Sequence, residues 1–197
     1  SRTTVLAIDT SDSMAGDRFA AAKAAAATFL DVVPADVEVG IVGFSSSVDT
    51  VLDPTTDRAA ARAVLDDLRL SRGTRLYDAV LAAVELVGEQ GQGSVLVLSD
   101  GADTGSTPVE TVVDTLADSG VVVDVVALER QASALPALAR LTGGAGGAGE
   151  VISADSADLA DTFSAEAAVL ARQVGVRIDV PADVAARQVS IAVTLPS

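Results

Sequence analysis

A chain of 197 residues suits one α/β domain with room for a small appendage, and 49% hydrophobic residues are enough for a full core. A net charge of −15 and a pI near 4.1 argue against nucleic acid and anionic membrane as partners. Cysteine and histidine are both absent, which removes disulfides, thiolate and imidazole metal sites, and the Cys–His and Ser–His nucleophile pairs.

Apolar runs alternate with amphipathic stretches, the pattern of a mainly parallel sheet covered on both faces. Residues 4–8 form a strand-length run ending at Asp9. Residues 18–33 have the helical spacing of Phe19, Ala22, Ala26, Phe29 and Val33, with Pro34 closing the helix. Residues 37–44 read as a second strand and 47–52 as a short third. Their connection is too tight for a crossover, so that pair is antiparallel. Residues 56–70 are helical behind the capping cluster Thr55, Thr56 and Asp57. The loop 71–74 leads into a helix with Leu76, Val80, Val84 and Val87 on one face.

The strand 94–99 ends at Asp100 and Gly101, and the helix 108–119 has Pro108 in its first turn. A buried strand at 120–128, a short helix at 134–141 and a last core strand at 149–152 follow. The helix 155–174 points Leu159, Phe163 and Leu170 inward. Residues 1–174 thus form the core domain. Beyond it, Val176, Ile178 and Val180, then Val189, Ile191, Val193 and Leu195, alternate with other residues at a period of two. This predicts an antiparallel hairpin over 175–197. Such a pair is marginal alone. It is expected to pack on the core or to join a β domain whose other strands precede Ser1 or follow Ser197. No stretch approaches the ~20 apolar residues of a membrane-spanning helix.

Three separated segments carry the chemistry. Asp9, Ser11 and Ser13 follow the first strand, Gly73 and Thr74 lie in the central loop, and Asp100 and Gly101 follow a later strand. In an open parallel sheet, ligands bind beyond the carboxyl ends of the strands where the strand order reverses. If the strands ending at Asp9 and Asp100 are neighbours, their carboxylates meet. Together with the hydroxyls of Ser11, Ser13 and Thr74 they form a set of hard oxygen donors suited to Mg²⁺, and acceptable to Mn²⁺ or Ca²⁺. A turning loop puts Ser11 and Ser13 on one side and Asp12 on the other. An ion held partly through water stays electrophilic and favours an incoming carboxylate at an open position. Taken singly, each residue has a plainer reading: strand-end turn for either aspartate, helix cap for Ser11, Ser13 or Thr74.

The pattern DxSxS after the first strand, Gly-Thr before a helix and Asp-Gly after the fourth core strand resembles the metal ion-dependent adhesion site of a von Willebrand factor type A domain. The resemblance runs from Thr3 to about Val174. It implies a Rossmann-like fold of six strands with one antiparallel edge strand and helices on both faces. It also implies that Ser11, Ser13 and Thr74 ligate the ion, that Asp9 and Asp100 do so directly or through water, and that Thr74 shifts between the two modes. The implied function is non-enzymatic capture of an Asp or Glu carboxylate on a protein partner, as in cell adhesion. Bacterial domains of this kind with a following hairpin often belong to membrane-anchored envelope proteins. One departure stands out: Asp12 occupies the place where the family usually has glycine.

Two other readings use the same residues. Phosphatases and receiver domains built on an aspartyl phosphate also begin with an aspartate after strand one and Mg²⁺. The phosphatase pattern needs an acid two residues on, where this chain has Ser11, and a receiver needs a lysine near the phosphoryl group, whereas Lys23 lies within the first predicted helix. The third reading is a structural scaffold whose ion staples loops.

Overall fold

A strand that is apolar on both faces is stable only when covered on both. A computed structural model describes residues 2–88, 92–100, 103–128, 139–142, 149–155 and 157–172, and arranges the apolar runs accordingly. The strands are β1 (Arg2–Asp9), β2 (Val37–Phe44), β3 (Val48–Thr55), β4 (Gln92–Ser99), β5 (Val122–Leu128) and β6 (Val151–Ala154). The helices are α1 (Asp17–Val32), α2 (Arg58–Asp67), α3 (Leu76–Val87), α4 (Val109–Ser119) and α5 (Leu159–Arg172). The six strands form one sheet in the order β3-β2-β1-β4-β5-β6. All pairs are parallel except β2 with the edge strand β3.

Alternation along the strands divides the core in two. Leu6, Ile8, Leu96, Leu98, Val126 and Leu128 pack with α1, α2 and α5 on one face. Val5, Ala7, Val95, Val97, Val125 and Phe44 pack with α3 and α4 on the other. On the first face, Phe29 of α1 meets Phe163 of α5 edge to face, with ring centroids 6.4 Å apart. Lys23 joins α1 to the end of α2: its ammonium donates to the carbonyls of Asp66 and Leu68 at 2.9 and 3.0 Å and lies 4.9 Å from the Phe19 ring centroid.

The element boundaries differ from expectation where local chemistry intervenes. The third strand runs on to Thr55 through Pro54, which an edge strand tolerates because its outward N–H needs no partner. The second helix is confined to Arg58–Asp67: Asp57 caps it by accepting the Ala59 and Ala60 N–H groups at 3.0 Å, and Leu68 leaves it to enter the core. Gly120 is not strand but the left-handed cap of α4, with φ 68°. The last strand starts at Val151, two residues late. A side chain at Gly149 would run into the Val123 carbonyl, its Cβ at 2.0 Å from that oxygen. Of the short helix expected at 134–141 only the end is described, as helical residues 139–142. The Leu170 side chain and the hairpin expected over 175–197 lie outside the described residues.

Glu166 of α5 is half-buried and faces the charges of Asp124 and Glu150. Burial first, then those two carboxylates, pushes its own carboxyl from the ordinary 4.5 up to about 7. A group whose pKa is raised on folding stabilises the fold fully below its unfolded pKa and loses that contribution as the pH climbs to the folded value. The Glu166 contribution therefore fades between about 4.5 and 7. Glu166→Gln is expected to remove this slope, so that melting temperatures of the two proteins coincide near the acid end and the variant is the more stable above neutrality. Thermal melts across that range check this; parallel curves would show that Glu166 stays ionised in the fold.

Candidate functional site

At the centre of the sheet β1 and β4 lie side by side, with Ile8 opposite Leu98. From β1 the chain passes through α1 to β2 on one side, and from β4 it passes through α4 to β5 on the other. Connections that diverge in this way leave a crevice at the carboxyl ends of the two strands. Asp9 and Asp100 stand there.

Asp9 is fully buried. Its Oδ1 accepts the Ser11 N–H at 2.8 Å and its Oδ2 accepts the Ser99 hydroxyl at 2.6 Å. Burial raises the Asp9 pKa above its ordinary value; the bonds from Ser11 and Ser99 pull it back, and the nearby Asp100 charge raises it again. The chain then makes a single 3₁₀ turn, Asp12–Met14, in which the Met14 N–H donates to the Ser11 carbonyl at 3.0 Å. Met14 is buried and anchors the turn, while Asp12 and Ser13 face solvent. This turn brings the Ser11 and Ser13 Oγ atoms to 2.8 Å, and the Ser13 Oγ donates to Asp100 Oδ1 at 2.8 Å. A hydroxyl has one proton to give, so Ser11 is the donor to Ser13. The result is a directed chain from Ser11 through Ser13 to Asp100.

Thr74 reaches the same rim by another route. Ser71 pairs with Ser11 in an isolated parallel bridge, and its N–H donates to the Thr10 carbonyl at 2.8 Å. The Arg75 N–H donates to the Ser45 carbonyl at 2.8 Å. Thr104 clamps Thr74 from the other side: its N–H donates to the Thr74 carbonyl at 2.8 Å and its hydroxyl accepts the Thr74 N–H at 2.9 Å. The structure therefore brings Asp9, Ser11, Ser13 and Asp100 into one hydrogen-bonded group. Thr74 is tied to them through its backbone and not through its hydroxyl.

The contacts of several contributing residues were not legible in the chain. Arg18, in the first turn of α1, donates to the Ser13 carbonyl at 2.9 Å and to Asp100 Oδ2 at 3.2 Å. Ser99 and Thr104 hold Asp9 and Thr74 in place. Asp103 accepts the Tyr77 N–H at 3.1 Å and so caps α3 from a distant loop. Arg75 pairs with Asp78 at 2.7 Å, while Arg72 is exposed. No local sequence pattern announces such contacts, because each joins residues that only the fold makes neighbours.

Residues 4–102 match the family described as von Willebrand factor type A domain. The chain belongs to that family. Its domains generally mediate protein interaction. Among similar chains, a protein named UPF0353 protein from Mycolicibacterium vanbaalenii is 28% identical over 115 residues, which is 51% of this chain and 34% of that one. A protein of the same name from Mycolicibacterium paratuberculosis is 30% identical over 114 residues, 50% of this chain and 34% of the relative. The match thus spans about a third of the length of these curated relatives, 34% in each. A von Willebrand factor type A structure from Catenulispora acidiphila superposes with TM-score 0.74 at 20% identity, over 85% of this chain and 42% of that one. BatB from Bacteroides thetaiotaomicron gives 0.72 at 19%, over 88% and 100%. The von Willebrand factor domain of the type V pili tip protein Mfa5 from Porphyromonas gingivalis gives 0.73 at 14%, over 91% and 98%. At these identities the likeness to the solved structures is one of fold.

The loop of this VWA domain that carries Thr74 turns at Gly73, where φ is 80°. A Cβ there would also approach the Ser46 backbone to 3.2 Å. Gly73→Ala is accordingly expected to destabilise the domain by about 1–3 kcal/mol, read as a lower urea midpoint at unchanged slope. An unchanged midpoint would mean that the loop relaxes freely.

Proposed function

We propose that this VWA domain holds a divalent cation, Mg²⁺ first of all, on Asp9, Ser11, Ser13, Thr74 and Asp100, and through it captures an Asp or Glu carboxylate on a protein partner. The observation that carries the reading is the group of oxygens at the β1–β4 crevice. An octahedral ion with oxygens at about 2.1 Å holds neighbouring oxygens about 3 Å apart. The Ser11–Ser13 and Ser13–Asp100 pairs already stand at 2.8 Å. The donors are hard, as Mg²⁺, Mn²⁺ and Ca²⁺ require, and rotation of two hydroxyl protons is enough to turn their lone pairs toward an ion. Two carboxylates balance the ionic charge while hydroxyls donate weakly, which suits an ion that takes a further anionic ligand. Asp12 is solvent-facing, and in this reading it stays outside the ligand set.

Binding is favoured over catalysis on two grounds. Ser11 stands where a phosphatase needs its acid. Lys23, which a receiver needs near a phosphoryl group, has its ammonium on the carbonyls of Asp66 and Leu68. The cell envelope is the proposed setting. Fold neighbours include an aerotolerance-related membrane protein from Bacteroides fragilis and the pilus tip protein already named. Among the described residues no helix is long and apolar enough to cross a membrane.

Titration calorimetry is expected to show saturable Mg²⁺ binding, weakened roughly tenfold or more by Asp9→Asn and by Ser13→Ala. Both substitutions are close in volume to the native side chain, so circular dichroism should report an intact fold. At a hundredfold excess over Kd, Mg²⁺ should stabilise the wild type by about 2.7 kcal/mol through linkage. A wild type without saturable binding, or variants that bind as it does, would overturn the ligand set. An N-acetyl-aspartate amide probe should then shift amide resonances of the Ser71–Thr74 loop only while Mg²⁺ is present. Shifts that persist in EDTA would refute capture through the ion.

A further inference from the structure

Asp100 is 5% exposed, and a buried carboxylate is costly unless it is paired. Both of its oxygens are engaged from within the chain. Oδ1 takes the Ser13 hydroxyl at 2.8 Å, and Oδ2 takes the Arg18 guanidinium at 3.2 Å. Arg18 is unlike the other basic side chains near the rim. It belongs to the first turn of α1, directly after Gly16, whose φ of 85° turns the chain from the serine loop into the helix. From there its Nη1 reaches back over that loop to the Ser13 carbonyl at 2.9 Å. Its own side chain is one-third exposed, at 33%, against 3% for that of Asp100. The carboxylate is therefore enclosed by the fold, while the guanidinium side chain lies at the outer edge of the crevice.

We infer that Arg18 is a tethered counter-ion, which neutralises Asp100 in the cation-free domain and must give way when a divalent cation is bound. The inference rests on the proposed metal site and adds a determinant of its affinity. The Ser13–Asp100 Oδ1 edge faces the proposed ion, and the guanidinium on Oδ2 stands across the same small carboxylate from it, so the two cations repel at close range. The pairing therefore competes with the ion. The affinity of the site is lower than its five oxygen ligands alone would set, by the free energy needed to release Arg18. The pairing also gives the buried Asp100 charge a partner beside the carboxylate of Asp9.

The test is Mg²⁺ calorimetry at fixed ionic strength on the wild type, Arg18→Gln, Arg18→Lys and Arg72→Gln. Arg18→Gln should bind Mg²⁺ roughly tenfold more tightly, the scale of one charge-assisted hydrogen bond. Arg18→Lys keeps the charge and should stay near the wild type. Arg72→Gln removes an equal charge from an exposed loop position, and its Kd should move by less than about twofold because solvent screens it. Melting temperature gives a second readout: without Mg²⁺ Arg18→Gln should melt below the wild type, and its Mg²⁺-induced rise should be the larger. If the wild type binds Mg²⁺ and Arg18→Gln binds equally or more weakly, the counter-ion role is overturned while the metal site stands. Equal tightening in Arg72→Gln would reduce it to general electrostatics, and equal tightening in Arg18→Lys would show that the retained charge is not the competitor; either result overturns it. If neither wild type nor Arg18→Gln binds, the metal site and the counter-ion both fall. Binding by Arg18→Gln alone would support both, with the arginine as the dominant barrier.

Discussion

A fully buried carboxylate at the end of the central strand is the constraint on which this crevice depends. Asp9 sits at the boundary between a dry sheet and an open rim, so each of its oxygens must be satisfied by a fixed donor. The Ser99 hydroxyl does this across the β1–β4 pair, and the Ser11 N–H does it from the loop that follows. The first bond holds the two strand ends in register at the point where they cease to be sheet. The second forces the chain to turn back over Asp9, and that turn is what carries Ser13 toward Asp100. Without a buried acceptor at position 9 the serine loop would have no reason to fold inward.

Rigidity at the rim comes from backbone bonds that cross between loops. Thr10 donates to Phe44 and accepts from Ser71, and Ser45 accepts from Arg75. Thr104 then closes the ring by pairing with Thr74 in both directions. These contacts link the exits of β1, β2 and β4 to the start of α3, so the loops hold one another while the two halves of the core anchor their ends. Polar residues in loops are ordinarily mobile and solvated. Here main-chain bonds fix the loops, and bonds to the side chains of Asp9, Ser13 and Asp100 then place the hydroxyl and carboxyl groups. Thr74 is the member placed most indirectly, and its hydroxyl alone is left without a direct bond to the rest.

How much of this could be read from the chain varies with the range of the interaction. The strands were legible because their apolar runs are local, and β2 appears over the residues expected, Val37–Phe44. The pairing of β2 with β3 followed from the short connection. The neighbouring placement of Asp9 and Asp100 was conditional on strand order, and the sheet supplies that order. The ends of elements were less legible. Asp57 as a helix cap outcompetes the earlier threonines, and Gly120 serves the helix before it instead of the strand after it. Arg18 illustrates the limit. In sequence it is an ordinary basic residue opening an alanine-rich helix, and its contact with Asp100 spans 82 positions.

The charge of the whole chain bears on what such a rim can do. At −15 the domain repels an acidic partner at long range, and at physiological salt that repulsion decays over about 8 Å. Any attraction for a carboxylate must therefore be short-ranged and must come from positive charge concentrated at one place. The described crevice holds a guanidinium there, and the proposed ion would bring a greater and more compact charge to the same spot. In this proposal, exchanging the first for the second would make the rim electrophilic. Long-range repulsion would then suppress casual contacts with acidic surfaces, leaving only a carboxylate delivered directly to the ion to bind.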